Sequence, residues 1–154
     1  VRKGDQIICG DLAFDVLAPF RGSRGENVNE EGMVLELVYH SFKALFTGDI
    51  GEETEETLLP ELEDVDLLKV GHHGSRNSSC KAFLRKIRPE LGVISCSKTN
   101  RYGHPAPEAV SRLEAAGCRL FYTMNSGAVT IRTDGRRIRI KQTKIPRNGE
   151  VICD

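Results

Sequence analysis

Four side chains suited to metal binding or acid–base chemistry come directly after apolar runs of the sequence. Asp49 follows one such run, His72 and His73 follow a second, and His104 lies in the loop after a third. Carboxylates and imidazoles bind zinc and other borderline divalent metals, and imidazoles also carry protons near neutral pH. Because open α/β sheets place their sites where strands end in loops, the spacing predicts one shared site for metal-assisted hydrolysis.

Each of these segments also has an ordinary structural interpretation. The pair Gly48-Asp49 after a strand is typical of a simple turn or of a residue that caps the next helix. The two adjacent histidines can belong to an incidental exposed loop, and a single loop histidine such as His104 is often structural. Both interpretations stay open for each segment alone, whereas the combination of the three favours the hydrolase site.

The adjacent histidines set a geometric condition on their loop. Neighbouring residues of an extended backbone point to opposite faces, so His72 and His73 can reach one metal or phosphate only if the chain bends. Glycines stand on both sides of the pair, and glycine tolerates backbone conformations that other residues avoid. We therefore expect Gly71 and Gly74 to provide the bend.

The loop that contains His104 gathers further polar groups. Asn100, Arg101 and Tyr102 add an amide, a guanidinium and a phenol to the imidazole. Such groups suit contacts with phosphate, so Asn100 and Arg101 are predicted to bind nucleic acid.

The elements that must position these residues follow from hydrophobic periodicity and turn signals. Strands are expected over residues 6–9, 12–17, 33–39, 42–47, 66–70, 91–96, 118–123, 128–133 and 136–143, and helices over residues 52–59, 78–88 and 107–116. Ser78 or Asn77 should cap the second helix, and Asp134-Gly135 is typical of a two-residue hairpin turn. The prediction is a single α/β domain over residues 1–154 with mixed strand directions.

Composition excludes several classes of protein. Twenty-two basic and 22 acidic residues cancel, so no global charge steers the molecule toward nucleic acid or an anionic membrane. No apolar run approaches the roughly 18 residues of a membrane span, and the start lacks a signal-peptide core. Five cysteines without C-x-x-C spacing indicate neither a disulfide framework nor a thiolate zinc site.

Charge is segregated locally. Residues 49–66 contain nine acids and no base, whereas residues 132–147 contain seven bases and one acid. Arg137, Arg139 and Lys141 alternate along the last expected strand, which is the spacing of one strand face. This face is either an ordinary solvated surface or a contact for the phosphates of DNA.

Several of these segments together resemble a known family. Residues 30–35, 47–49, 68–75 and 100–105, in this order, resemble the carboxy-terminal metallo-β-lactamase-like domain of ComEC-type DNA-internalisation competence proteins. The resemblance implies an αββα sandwich with one or two metals, zinc or manganese, at one edge of its sheets. It also implies a bacterial integral membrane protein that takes up single-stranded DNA, with this domain as a nuclease for the strand left behind.

The resemblance also implies roles for single residues. Asp49 corresponds to a metal-bridging carboxylate, and His72 and His104 correspond to metal ligands or phosphate-facing histidines. His73 is their neighbour, and His73 or His104 would protonate or steady the leaving oxygen. The catalytic set expected on this basis is His73, Asp49 and His104.

Two departures from the family stand out. The His-x-His-x-Asp-His signature is absent, and only His40 precedes residue 72. We therefore expect the chain to be the second half of the domain, to be inactive alone, and to require the missing first half and a membrane channel as partners. The second departure is Gly32, which replaces a serine in the segment that begins at Asn29.

Two classes of function follow. One is a metal-dependent phosphodiesterase or nuclease acting on DNA, and the other is a non-catalytic DNA-binding or structural module with the same fold. A histidine and aspartate cluster upstream in the parent protein would favour the enzyme.

Overall fold

The computed structural model describes residues 1–20 and 32–143, which form a mixed α/β fold and confirm the predicted fold class. Asn29, residues 30 and 31 of the family resemblance and residues 144–147 of the basic segment lie outside the described residues. The strands are β1 (Gln6–Cys9), β2 (Leu12–Ala18), β3 (Val34–Tyr39), β4 (Phe42–Phe46), β5 (Leu67–Lys69), β6 (Leu91–Ile94), β7 (Arg119–Tyr122), β8 (Val129–Thr133) and β9 (Ile138–Gln142). The helices are α1 (Glu52–Leu58), α2 (Lys81–Ile87), α3 (Pro107–Ala115) and α4 (Thr123–Ser126), together with a 3₁₀ turn over Gly71–Gly74.

Strands β1 to β7 form one sheet in which the spatial order equals the chain order. The pairs from β1 to β4 are antiparallel, and the pairs from β4 to β7 are parallel. Each parallel pair is connected through one of the helices α1, α2 and α3, as parallel strands require a crossover. Strands β8 and β9 pair only with each other and form a separate antiparallel ribbon.

The three crossover helices cover one face of the sheet. Proline defines two of their ends, because Pro60 follows α1 and Pro107 occupies the first turn of α3. The main core lies between helices and sheet. Its largest fully buried side chains include Leu45, Leu58, Leu68, Phe83, Leu84, Ile87, Ile94 and Leu113.

The β8–β9 ribbon packs on the opposite face of the sheet. Its half-buried Ile131 and Ile138 contact a small cluster formed by Phe42, Ala44 and Leu67. Beside this contact lies a cavity of about 730 Å³ with mainly apolar walls. This second face of the sheet is therefore covered only in part by the described residues.

Two local predictions are wrong. Helix α2 begins at Lys81, so its cap position is Cys80, whose Sγ accepts the Phe83 N–H at 3.4 Å. Ser78 lies two residues before the cap, and its hydroxyl donates to Gly71 O and Ser75 O. The ribbon turn contains four residues, since Thr133 pairs with Ile138. As a result Arg137 lies in the turn and not on the strand.

Some shorter elements were not predicted at all. The 3₁₀ turn over Gly71–Gly74 and the single-turn helix α4 lack the length that produces a periodic pattern. Among the described residues, no helix combines the length and the apolar character needed to cross a bilayer.

Candidate functional site

The predicted site residues follow three neighbouring strands. Asp49 comes after β4, His72 and His73 after β5, and His104 in the loop after β6. These strands are parallel, so their C-terminal ends share one edge of the sheet. The structure therefore brings the four side chains to the same edge.

The distances describe a loose cluster. His73 Nε2 lies 3.9 Å from Asp49 Oδ1, and each of the two side chains is about half exposed, at 52% and 51%. The rings of His72 and His104 meet edge to face with centroids 5.8 Å apart. Solvent and a ligand can thus reach the aspartate and His73 directly.

The bend in the double-histidine turn is made by the two histidines together with Gly74, so the prediction is correct for Gly74 and wrong for Gly71. His72 (φ 46°, ψ 42°) and His73 (φ 54°, ψ 21°) both adopt the left-handed conformation, followed by Gly74 at φ +82°. This conformation costs a residue with a side chain roughly 1–2 kcal/mol. Gly71 has a different role, because a Cβ there would lie 2.8 Å from Thr47 Oγ1.

Hydrogen bonds hold this strained turn against its neighbours. The His72 N–H donates to Gly48 O at 2.9 Å, which ties the turn to the residue before Asp49. Ser75 N donates to His72 O at 2.9 Å, and the buried Ser78 hydroxyl donates to Gly71 O at 3.1 Å. Strain of this kind is typical of functional sites whose surroundings enforce one geometry.

His73 is fixed by a backbone carbonyl. Its Nδ1 lies 2.7 Å from Ser95 O, and because a carbonyl oxygen can only accept, Nδ1 carries the proton. The lone pair of the neutral ring is then on Nε2, which faces Asp49. A carbonyl in this position is also the usual partner that orients a metal-ligating imidazole.

The surroundings of His104 favour its neutral form. Burial lowers the pKa of His104, and the nearby His72, His73 and Arg76 lower it further, while Asp49 acts in the opposite direction. Its Nδ1 is buried and has no hydrogen-bond partner among the described residues. These surroundings therefore favour the neutral ring of His104, which keeps a lone pair on one nitrogen.

Asn100 and Arg101 shape and flank the His104 loop. The Asn100 amide donates to Ser97 O at 2.8 Å and to His104 O at 2.6 Å, and its carbonyl accepts the His104 N–H at 2.8 Å. The Asn100 side chain is thus engaged within its own loop. Arg101 is exposed, and its Nη2 donates to the Tyr102 hydroxyl at 2.9 Å.

The basic residues of the ribbon lie along a different part of the molecule. The ribbon turn is anchored to the β3–β4 turn, where Ser41 N donates to Gly135 O at 3.1 Å, at the edge opposite the histidines. Arg137 therefore lies far from the histidine edge. Arg139 and Lys141 are exposed along β9, opposite Arg132 and Thr130 of β8.

Two residues near the site were missed by sequence reasoning. Glu55 is 1% exposed and accepts N–H groups from Ser79 and Cys80 at 2.6 and 2.8 Å. Burial is the main cause that raises the pKa of Glu55 to about 7. The signal for its burial was available, because Glu55 shares a helix face with Leu58 at i+3.

Arg112 of α3 is the second missed residue. Its guanidinium donates to the backbone oxygens of Arg76, Ser78 and Ser79 at 2.8–2.9 Å. In the segment that follows the double-histidine turn, Glu55 thus accepts from backbone N–H groups and Arg112 donates to backbone carbonyl oxygens.

The side chains at this edge have the ligand atoms that divalent metals prefer, but these atoms are not close enough together to surround one ion. Asp49, His72 and His104 supply a carboxylate and imidazoles, and the buried Nδ1 of His104 has no other partner. Within the described ranges, the three-residue group whose ligand atoms lie within 4.8 Å of one another is instead Glu52, Glu56 and Cys80. The aspartate and the histidines thus lie at one edge of the sheet without enclosing an ion.

The Glu52, Glu56 and Cys80 group is poorly prepared for a metal. Burial raises the pKa of the Cys80 thiol, with Glu55 adding to the effect. A thiol must lose its proton to bind a metal, so this group is not the counterpart of the histidine cluster.

Comparison with known proteins gives three curated relatives. The chain is 31% identical over 138 residues to ComE operon protein 3 of Bacillus subtilis, 35% identical over 121 residues to competence protein ComA of Neisseria gonorrhoeae, and 28% identical over 134 residues to recombination protein 2 of Haemophilus influenzae. These alignments cover 88%, 75% and 86% of this chain, but only 18%, 17% and 17% of the relatives. The chain therefore spans less than a fifth of the length of the relatives that it matches.

A solved structure has a similar fold. It is assigned as a metal-dependent hydrolase from Parabacteroides distasonis, and it matches 80% of this chain and 56% of its own with a TM-score of 0.56. Because the sequence identity is 11%, this likeness concerns the fold alone. No family model matches the chain.

Proposed function

We propose that this homologue of the ComEC-type competence proteins, a metallo-β-lactamase-like domain, supplies one flank of a metal-dependent phosphodiesterase site that acts on DNA. The observation that carries the proposal is the convergence of Asp49, His72, His73 and His104 at one edge of three parallel strands. Asp49 and His73 are not needed there for packing, since the side chains of both are half exposed.

A divalent metal, zinc or manganese, would be held by Asp49, His72 and His104. When bound, it supplies Lewis-acid polarisation of the phosphodiester and lowers the pKa of water. The depressed pKa of His104 supports a ligand role, because only the neutral ring has a free lone pair.

His73 would manage the proton of the leaving oxygen. Its ring is oriented by Ser95 O, and its Nε2 points toward Asp49 into the open part of the site. When protonated, Nε2 can donate to a departing alkoxide, and Asp49 stabilises the charged ring. His73 would thus protonate the leaving oxygen, while His72 and His104 would bind the metal.

The biological setting follows from the names of the relatives. One is named a ComE operon protein, one a competence protein and one a recombination protein, which supports a place for this chain in bacterial DNA uptake. The chain would be a domain attached to a membrane channel in the bacterial cell membrane, with single-stranded DNA or the degraded strand as its partner. Arg101 and the basic ribbon would contact the phosphates.

The chain alone would be inactive. Its sequence contains no His-x-His pair, so the ligands that would complete a one- or two-metal site must come from elsewhere in the parent protein. Residues 1–154 would then be the second part of a single metallo-β-lactamase-like domain.

A cleavage assay tests this proposal. The complete domain of the parent protein and this chain are incubated separately with end-labelled single-stranded DNA and Mn²⁺ or Zn²⁺. We expect metal-dependent cleavage by the complete domain only. Asp49→Asn should abolish it, and His73→Ala should reduce it about a hundredfold or more.

His40→Ala is the matched control, because His40 lies at the β3–β4 turn, away from the site edge. It should leave the rate unchanged. Cleavage that persists in Asp49→Asn would contradict the proposed site. Full activity of this chain alone would contradict the proposal that it needs the rest of the domain.

The second candidate function is a non-catalytic DNA-binding module. It is favoured by the exposed arginines of the ribbon and by a ligand set that does not close around an ion. Binding of DNA by the complete domain without cleavage under any metal would support this alternative.

A further inference from the structure

Tyr102 is the exposed aromatic residue of this chain. Its side chain is 68% exposed, whereas the other phenylalanines and tyrosines, all within the described ranges, are buried or half-buried. Tyrosine rings normally bury their apolar faces, so an exposed ring beside a candidate active site requires an explanation.

The exposure is produced by an ordered loop. Asn100 makes three hydrogen bonds to backbone groups of Ser97 and His104, which close the loop at its base. Gly103, at φ +70°, turns the chain at its tip, and no atom lies within 4 Å of the position that a Cβ would occupy there. Tyr102 is therefore presented to solvent by a fixed backbone with free space beside it.

The Tyr102 ring lies next to a second ring and a cation, groups that commonly bind a nucleobase. The Tyr102 ring lies nearly parallel to His104, with an interplanar angle of 18° and centroids 5.9 Å apart. The Arg101 guanidinium lies 5.1 Å from the ring centroid. An aromatic surface combined with a cation is the common device by which proteins hold single-stranded nucleic acid.

A groove connects this ring with the site. Its volume is about 320 Å³, and its walls include Tyr102, His73 and His104 together with Ser95 and Ser97. The candidate active site and the exposed ring of Tyr102 therefore lie in one groove, since His73 and His104 line it as well.

We propose that Tyr102 is a stacking platform for a nucleobase of single-stranded DNA, in a subsite next to the aspartate–histidine cluster. This inference rests on the proposed action on DNA and assigns one residue to the binding of a base. A duplex keeps its bases stacked on one another, so an aromatic platform favours a single strand or a frayed end. A base on Tyr102 would place its own phosphate toward His104 and His73.

The test compares two DNA probes of equal length and charge. One is a fluorescent oligothymidylate, and the other is an oligomer of the same length that contains abasic sites. Binding to this chain is measured by anisotropy at low salt in EDTA, where no hydrolysis takes place. We expect the oligothymidylate to bind more tightly, and Tyr102→Ala to lower its affinity roughly tenfold or more without changing that of the abasic probe.

Three further variants make the result specific. Tyr102→Phe should bind as the wild type does, because stacking needs the ring and not the hydroxyl. Thr99→Ala alters an exposed residue of the same loop outside the groove and should have no effect. Tyr102→Trp introduces the sole tryptophan of the chain, whose fluorescence should be quenched by the oligothymidylate and not by the abasic probe.

Equal affinity of the wild type for both probes, or an equal loss for both in Tyr102→Ala, would overturn the inference. Its failure is separable from that of the proposed function. Base-dependent binding without cleavage by the complete domain would reject the phosphodiesterase and retain the subsite. Cleavage without base-dependent binding would reject the subsite and retain the phosphodiesterase.

Discussion

The carboxyl group of Glu55 is buried among the helices. It holds the backbone of Ser79 and Cys80, which follow the double-histidine turn. Burial raises its pKa from the ordinary 4.5 to about 7, so the folded state retains a proton that the unfolded chain releases. The free energy of unfolding should therefore fall as pH rises from about 4.5 to about 7 and change little from this group above that range.

Glu55→Gln should remove this dependence on pH. The amide does not titrate, so its unfolding free energy between pH 4.5 and 7 should vary less than that of the wild type, by on the order of 3 kcal/mol at most. The measurement is urea unfolding followed by circular dichroism at several pH values. Glu56→Gln, at the exposed neighbouring position, is the control. Identical pH profiles for Glu55→Gln and the wild type would contradict the prediction.

At the residue scale, sequence reasoning succeeded where a general rule applied and failed where tertiary contacts took over. The four site residues could be expected to meet, because each follows a strand. The left-handed backbone of His72 and His73 could not be expected, since local preference assigns that conformation to glycine. Bonds such as His72 N–H to Gly48 O enforce it. Glu55 was missed because acidic residues of a short helix are usually solvated.

At the scale of elements, the β8–β9 ribbon has two unlike faces. Ile131 and Ile138 point to the sheet, while Arg132, Arg139 and Lys141 are exposed. The outer face can contact a phosphate backbone without reading sequence, and the acidic residues of positions 49–66 oppose such a contact. We therefore expect weak binding of single-stranded DNA, at the micromolar end or poorer.

The triple variant Arg137→Ala, Arg139→Ala, Lys141→Ala tests the ribbon. Its affinity for single-stranded DNA should be largely lost, and the logarithmic salt dependence should become shallower by about two. Fluorescence anisotropy across a salt series measures both quantities. Removal of Lys81, Arg85 and Lys86, exposed on α2 of the other layer, changes the net charge equally and should have a smaller effect. Equal losses in both triple variants would indicate a general charge effect.

Element types were predictable where periodicity was long, and the details of turns were not. The apolar stripe at Cys80, Phe83, Leu84 and Ile87 correctly predicted α2. The helix begins later than predicted, at Lys81, because Cys80 and not Ser78 supplies the cap. The ribbon turn is longer than expected because the Asp134 carboxylate accepts N–H groups from Arg136 and Arg137, at 3.0 and 2.7 Å.

At the scale of the whole molecule, only one side of the proposed metal site lies within this chain. We therefore expect this chain to bind Zn²⁺ or Mn²⁺ weakly, with no sharp stoichiometric step in calorimetric titration. The combined variant His72→Ala, His104→Ala should lower the residual heat, whereas Cys80→Ala should leave it unchanged. Two tight stoichiometric sites would contradict this expectation, and loss of binding in Cys80→Ala alone would assign the ion to the Glu52, Glu56 and Cys80 group.

The strand order has a consequence for the way the molecule is made. Each strand from β2 to β7 pairs with the strand synthesised just before it, so the sheet can grow at one edge as the chain leaves the ribosome. Asp49, the two adjacent histidines and His104 emerge in that order, one after each new strand. A nascent chain thus possesses every strand that carries the site before β7, β8 and β9 have been translated.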